Sequence, residues 1–257
     1  MKTKAIFLDI DGTIYNEDKQ MSDVTVSAVR ALQENGHHVL IATGRSPFMY
    51  TSLMEKLGIV SHIGFNGSYV VIDGDVVLAK SLHSSALKNI FEMAHRNDHA
   101  MVFMDHTGMR TDQLSHPRIK ECMESLLLPY PPIHKNPMDG EVYQALLFST
   151  KGENPSEYEQ AFSEFDFVRW HDLSVDIVPA GGSKAVGIQK AADLLNISME
   201  DTVAFGDGLN DIEMLQAAGV GVAMGNGTEE TKQAADFITK SVDEEGIHAG
   251  LKELGLI

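Results

Sequence analysis

The chain has 257 residues, a formal net charge of −17 at pH 7 and a single cysteine, Cys122. No apolar run approaches the roughly 18 residues that cross a bilayer, so no membrane partner is expected. One cysteine excludes an intrachain disulfide, and the absence of a visible secretory signal favours the cytoplasm. The negative charge repels nucleic acid over most of the surface, so we expect no nucleic-acid partner, and no feature indicates an obligate protein partner.

The first eighty residues alternate between apolar runs and helical patterns. Strands are predicted over KAIFLDI (4–10), HHVLIATGR (37–45) and HIGFNGS (62–68), and helices over SDVTVSAVRALQENG (22–36) and SPFMYTSLMEKLG (46–58), the second with Pro47 in its first turn. YVVIDGDVVLAK (69–80) predicts a hairpin that turns at Asp73-Gly74. Strands that alternate with helices are typical of a parallel sheet covered by helices.

The pattern changes to short mixed helices and strands between residues 81 and 180. The alternation resumes at Ser183, with a helix over SKAVGIQKAADLLN, a strand over DTVAFGDG and further helices and strands to the end of the chain. We therefore predict an α/β fold with a parallel-sheet core domain made of residues 1–80 and 181–257. An α+β domain of residues 81–180 is inserted into this core.

Polar residues collect where the predicted core strands end. They are Asp9 and Asp11, Thr43-Gly44-Arg45, Lys184 at the start of a helix, and Asp207 with Asn210 and Asp211. Because ligands of parallel α/β sheets bind at the carboxyl ends of the strands, these side chains are expected to share one crevice. An isolated Asp after a strand is more simply a turn or helix-capping residue, but the whole set favours a ligand site.

Several converging carboxylates call for a hard cation, and Mg²⁺ suits oxygen ligands of this kind. Asp9 and Asp207 are the predicted direct ligands, with Asp211 acting through water. Lys184 and Thr43 are the groups that a phosphoryl group needs opposite the metal.

Two aspartates are predicted to share the covalent chemistry. Lys184 keeps Asp9 ionised as a nucleophile. Asp11 then acts as the acid, so its pKa is expected to rise under the influence of the adjacent carboxylates. Arg45 either contacts the substrate or forms a salt bridge at a helix start.

Four stretches, FLDIDGT, IATGR, SKAVGI and GDGLND, resemble in this order the motifs of the haloacid dehalogenase (HAD) superfamily. The insert, placed after NGS and before GGSK, resembles the Cof-type branch with a type IIB cap, and so does the tail VAMGNGTEETKQAADFITKSVDEEGI. Gly227 departs from the Ala that is usual in this tail. The resemblance implies a Rossmann-like core and an inserted cap domain that selects the substrate.

The resemblance also implies a mechanism through an aspartyl-phosphate on Asp9, with Asp11 as acid and then base. Mg²⁺ would be held by Asp9, the Asp11 backbone carbonyl and Asp207, with Asp211 close by. Thr43, Gly44 and Lys184 would bind the phosphoryl oxygens, and Asn210 would contact phosphate or metal.

The expected function is a Mg²⁺-dependent phosphatase of small phosphorylated metabolites, such as a sugar phosphate or a nucleotide-like cofactor. A sugar phosphomutase shares these motifs and stays open as the alternative. A non-enzymatic phospho-ligand sensor is disfavoured, because Asp9, Asp11, Lys184 and Asp207 are all present. In the insert, Gln144, His171 and Asp176 either face the substrate or belong to the ordinary surface.

Overall fold

The computed structural model describes residues 2–153 and 156–257. The strands are β1 (Ala5–Leu8), β2 (His38–Ala42), β3 (His62–Gly64), β4 (Tyr69–Ile72), β5 (Asp75–Ala79), β6 (Ala100–Met104), β7 (Met109–Arg110), β8 (Gln144–Phe148), β9 (Phe165–His171), β10 (Ser174–Pro179), β11 (Thr202–Gly206), β12 (Val220–Ala223) and β13 (Phe237–Ile238). The α-helices are α1 (Asp23–Glu34), α2 (Thr51–Leu57), α3 (Ser84–Arg96), α4 (Pro117–Ser125), α5 (Ser156–Ala161), α6 (Lys184–Leu194), α7 (Ile212–Ala217), α8 (Glu229–Ala234) and α9 (Gly246–Glu253).

The chain divides into two compact units. The first contains Met1–Arg45, Met49–Leu78 and Ser183–Ile257, and the second contains Ser46–Phe48 and Ala79–Gly182. Across the described ranges, no helix is both long enough and apolar enough to cross a bilayer.

The first unit is built on a sheet whose described strands number eight, in the order β13-β12-β11-β1-β2-β3-β4-β5. Strand β1 lies between β11 and β2 and is parallel to both. Strand β4 runs antiparallel to β3, and the β4–β5 hairpin turns through Asp73 and Gly74, both with positive φ. The predicted α/β fold with a parallel core sheet is confirmed.

Both faces of this sheet are buried, because successive residues of a strand point to opposite sides. Ile6 and Leu8 of β1 belong to one apolar cluster, which includes Val29 of α1 and Leu251 of α9. Ala5 and Phe7 belong to the opposite cluster, which includes side chains of α6 and α7. The apolar run that the sequence shows around β1 is thus explained by burial on two sides.

The second unit is built on an antiparallel sheet. Its five described strands have the order β7-β6-β8-β10-β9. One face packs against helices α3 and α5 through an apolar cluster that includes Phe103, Ile90 and Tyr158. This is the α+β composition expected of the insert.

The helix predicted over residues 46–58 is wrong in its first half. Pro47–Met49 forms a separate 3₁₀ turn, and α2 begins only at Thr51. Tyr50 between them has φ −131°, outside the helical region. Its buried hydroxyl lies 2.9 Å from Nδ1 of His62, so tertiary contacts rather than local propensity set this conformation.

The buried Tyr50–His62 pair predicts a pH dependence of stability. Burial lowers the pKa of His62 to about 4, below the ordinary value near 6.5. Unfolded chains therefore bind a proton between these values that folded chains do not, and stability falls as the pH drops through this window. Between pH 7 and pH 5 we expect His62 to account for a loss of about 2 kcal/mol.

The measurement is urea denaturation at both pH values for wild type, His62→Gln and the control His38→Gln. His62→Gln is expected to lose less stability than wild type on acidification. His38 is exposed on β2, so its variant should match wild type. Equal losses in all three proteins would contradict the prediction.

Candidate active site

The polar residues predicted from the sequence lie at one edge of the first sheet. Asp9 follows β1, Thr43 follows β2 and Asp207 follows β11, and these three strands are parallel neighbours. Their carboxyl ends therefore meet at the same edge, as expected for ligand sites of α/β sheets.

Lys184 is the buried cation at the centre of this site. It begins α6, and its ammonium lies 2.6 Å from Oδ1 of Asp9 and 2.6 Å from Oδ1 of Asp211. Burial opposes the charged form, but the charges of Asp211 and Asp9 outweigh burial and raise the pKa of Lys184. The ammonium is therefore a fixed positive charge.

Asp211 uses both oxygens to organise the site. Oδ1 accepts from Lys184, and Oδ2 accepts from the backbone N–H groups of Asp207 and Gly208, each at 2.9 Å. The side chain is fully buried. Its role as a water-mediated metal ligand stays a prediction, whereas its part in orienting Lys184 is direct.

The positive charge around Asp9 and Asp207 is too small to keep their carboxyl pKa values in the ordinary range. Burial raises the pKa of Asp9, the ammonium of Lys184 opposes this rise, and the neighbouring carboxylates add to it. Burial and the charge of Asp211 raise the pKa of Asp207 to about 7, against a hydrogen bond from Thr13 at 3.1 Å. One ammonium does not offset this group of carboxylates, so the prediction that Lys184 keeps Asp9 ionised is wrong for this conformation.

This cluster fits a hard divalent cation. Asp9, Asp207 and Asp211 each offer an oxygen, and these atoms lie within 4.8 Å of one another. Within the described part of the chain, no hydrogen bond reaches the second oxygen of Asp9 or of Asp207. A Cβ on Gly12 would lie 2.1 Å from Oδ2 of Asp207, so only glycine leaves room for that carboxylate.

Asp11 lies in the opposite electrostatic environment. Arg45 donates from Nε to Oδ2 and from Nη2 to Oδ1, both at 2.7 Å, and Lys19 donates to Oδ1 at 2.7 Å. Burial would raise the pKa of Asp11, but the hydrogen bonds and charges of Arg45 and Lys19 lower it. The predicted rise is wrong for this conformation, because the effect of Arg45 and Lys19 on Asp11 outweighs that of the nearby carboxylates.

Of the two roles expected for Arg45, this structure shows the salt bridge, and the contact with a substrate stays a prediction.

Lys19 was not predicted from the sequence, although it lies eight residues after Asp11. Its φ of 58° places it in a tight turn, where Asn16 accepts from the Lys19 N–H at 3.0 Å. The turn residues Asn16-Glu17-Asp18 are the only local signal.

The remaining predicted phosphate ligands surround another residue that sequence reasoning missed. Thr43 is buried, and its hydroxyl accepts from the N–H of Arg45 at 3.1 Å. Asn210 is exposed and donates to Oδ1 of Asn66 at 3.4 Å. Gly44 faces the same Asn66 amide.

The polar residues singled out in the insert lie in the second unit. Gln144 on β8 and Asp176 on β10 are buried, so neither belongs to the ordinary surface. Burial raises the pKa of Asp176 to about 8, against a hydrogen bond from Gln144. Nδ1 of His171 lies 3.3 Å from Sγ of Cys122 and accepts from the N–H of Leu173.

Residues 6–251 match the model of a protein family described as haloacid dehalogenase-like hydrolases. The chain belongs to this family. The match includes every residue of the site described above, and it confirms the resemblance drawn from the four motifs.

Three similar proteins support a phosphatase. A Bacillus subtilis (strain 168) protein named "Putative phosphatase YkrA" is 46% identical over all of both chains. The 5-amino-6-(5-phospho-D-ribitylamino)uracil phosphatase YitU of the same organism is 31% identical, over 98% of each chain. A solved structure of a HAD subclass IIB sugar phosphatase has 29% identity and a TM-score of 0.88, and covers 99% of this chain and 100% of its own. The chain is a HAD-type phosphatase.

The buried position of Lys184 predicts a large effect of its removal on stability. Lys184→Met would leave Asp9 and Asp211 buried side by side without a counter-charge. We expect a loss of about 3–5 kcal/mol in the free energy of unfolding, as is typical when one partner of a buried ion pair is removed.

The measurement is urea denaturation at pH 7 without added metal, followed by far-ultraviolet circular dichroism. Lys190→Met is the matched control, because Lys190 is exposed on the same helix; its effect should stay within about 0.5 kcal/mol. A Lys184→Met variant as stable as this control would show that the ion pairs contribute nothing net.

Proposed function

We propose that this phosphatase hydrolyses monoesters of small phosphorylated metabolites, with Mg²⁺ as cofactor and Asp9 as nucleophile. The observation that carries the proposal is the buried ammonium of Lys184, fixed 2.6 Å from Asp9 at the end of a parallel strand. The names of the similar proteins, a sugar phosphatase and a phosphoribitylamino-uracil phosphatase, support a small phosphorylated substrate.

The Asp9 carboxylate attacks phosphorus and forms an aspartyl-phosphate, while the bond from phosphorus to the leaving oxygen breaks. Asp11, which must first take up a proton from solvent, gives that proton to the leaving oxygen. Asp11 then takes a proton from the water that attacks the aspartyl-phosphate, which releases inorganic phosphate and restores Asp9.

Asp11 cannot donate a proton while it accepts three hydrogen bonds from Arg45 and Lys19. A productive complex therefore requires these bonds to open. A substrate phosphate that recruits Arg45 would open two of the three bonds, because a guanidinium can form paired hydrogen bonds with phosphate as it does with carboxylate. Lys19 must release the third bond before Asp11 can serve the leaving oxygen.

The phosphoryl oxygens are proposed to bind Lys184, the Thr43 hydroxyl, Gly44 and Asn210. Asp9, Asp207 and the backbone carbonyl of Asp11 are the proposed holders of Mg²⁺. When bound, the ion supplies positive charge that offsets the carboxylates and the charge on the transferred group. We also propose that the second unit serves as the cap domain, with substrate selection as its role.

The proposed function is tested by phosphate release from a panel of sugar phosphates and phosphorylated cofactors. Wild type should release phosphate with Mg²⁺ and lose this activity in EDTA. Asp9→Asn should be inactive, because an amide is a poor nucleophile, whereas the control Asp18→Asn, at an exposed position of the same segment, should remain active.

Release of phosphate by Asp9→Asn at the wild-type rate would refute the role of Asp9 as the nucleophile. If no compound releases phosphate but phosphate is transferred to a second sugar hydroxyl, the activity is that of a phosphomutase rather than a phosphatase.

The acid role of Asp11 predicts a dependence on the leaving group. Asp11→Asn should slow an alkyl phosphate by about 10²–10⁴-fold, the usual contribution of general acid–base catalysis. The first step with 4-nitrophenyl phosphate should be affected much less, because nitrophenolate leaves without a proton. Single-turnover measurements of both substrates provide the comparison, and equal losses would assign Asp11 another role.

A further inference from the structure

Residues 65–67 form an unusual left-handed run beside the phosphate site, called here the 65–67 arch. The φ angles are 50° for Phe65, 51° for Asn66 and 94° for Gly67. Phe65 is bulky and fully buried, and such residues rarely adopt positive φ. Backbone strain of this kind concentrates at functional sites.

The arch is bonded to the loop that follows β2. The N–H of Phe65 donates to the carbonyl of Arg45, and the N–H of Asn66 donates to the carbonyl of Thr43, both at 3.1 Å. These two bonds hold the loop on either side of Gly44. The backbone position of Gly44 therefore depends on the arch.

The side chain of Asn66 contacts two proposed phosphate ligands at once. A Cβ on Gly44 would lie 3.0 Å from both Oδ1 and Nδ2 of Asn66, so the amide packs directly on that glycine. Oδ1 accepts from Nδ2 of Asn210 at 3.4 Å. Asn66 itself is only 7% exposed.

The end of the arch packs against the start of α6. A Cβ on Gly67 would lie 2.0 Å from the carbonyl oxygen of Ser183, the residue before Lys184. One three-residue segment thus touches the chain segments that carry Gly44, Asn210 and Lys184.

We propose that Asn66 is a positioning residue of the phosphate site, which holds Gly44 and Asn210 where they bind phosphoryl oxygens. This inference rests on the proposed function of those ligands. Asparagine suits the position because it tolerates the left-handed conformation and supplies an amide. A larger residue without a short polar side chain would neither tolerate the left-handed conformation nor supply the amide.

The test compares Asn66→Gly with the matched control Asn196→Gly. Asn196 also has a left-handed backbone (φ 54°), but it is exposed and lies just beyond the opposite end of α6 from Lys184. Glycine accepts this conformation at both positions, so the pair separates the amide of Asn66 from its backbone. The readouts are the inhibition constant of inorganic phosphate, KM and kcat for 4-nitrophenyl phosphate, and Tm.

We expect Asn66→Gly to weaken inhibition by phosphate and to raise KM by about tenfold, the effect of weakening one hydrogen bond to a charged ligand. Asn196→Gly should leave both values unchanged. Asn66→Gly is also expected to lower Tm more than Asn196→Gly, because only Asn66 is buried, so the kinetic values are compared below both Tm values.

Asn66→Asp provides a second test that keeps the acceptor for Asn210 and the tolerance of positive φ. It adds a negative charge next to the proposed anion site, so phosphate binding should weaken further than in Asn66→Gly. A role in the fold alone predicts that Asn66→Gly lowers Tm but leaves inhibition by phosphate at the wild-type value. If Asn66→Gly is poorly folded, wild-type inhibition in Asn66→Asp still overturns the proposal.

Wild-type phosphate inhibition in both Asn66 variants would overturn the positioning role while leaving the proposed function intact. A wild-type protein that neither releases phosphate nor is inhibited by it would overturn the proposed function and this inference together. The two failures are therefore distinguishable.

Discussion

The site depends on one buried cation held between two buried carboxylates. Taking Lys184, Asp9 and Asp211 out of water costs several kcal/mol per ion, and close geometry alone does not offset it. The backbone N–H groups of Asp207 and Gly208 complete the hydrogen bonding of Asp211. As a result β1, the start of α6 and the loop after β11 are fixed relative to one another before a ligand binds, which is the preorganisation that phosphoryl transfer requires.

Two aspartates only two residues apart are thereby given opposite properties. The pKa of Asp9 is raised by burial, although Lys184 opposes the rise, whereas the pKa of Asp11 is lowered by Arg45 and Lys19 despite burial. The separation arises because Asp9 directly follows the buried strand β1, whereas Asp11 belongs to the turn beyond it. These shifts are opposite to those that an ionised nucleophile at Asp9 and a proton donor at Asp11 require, so if the proposed function holds, the bound metal and phosphate must reverse them.

The sequence predicted the sheet and the residues at its edge, because apolar strands and polar strand ends are local patterns. It could not predict the partners of Asp11, since Arg45 and Lys19 reach it through tertiary contacts. The left-handed conformation of Phe65 has no local signal either, because phenylalanine rarely adopts positive φ. Tyr50 interrupts a helix for the same reason, a contact with His62 that periodicity does not show.

Because the net charge of the chain is −17, binding of an anionic phosphate depends on the ion pairs within the site. Charges farther than about 8 Å are largely screened at physiological salt, so a phosphate responds mainly to the cations at the site. The Lys184 ammonium has a third hydrogen beyond those bonded to Asp9 and Asp211, whereas Arg45 must first exchange Asp11 for the new anion. If the proposed function holds, part of the binding energy of phosphate is spent on this exchange. The same cost applies to product phosphate, and it favours release of the product.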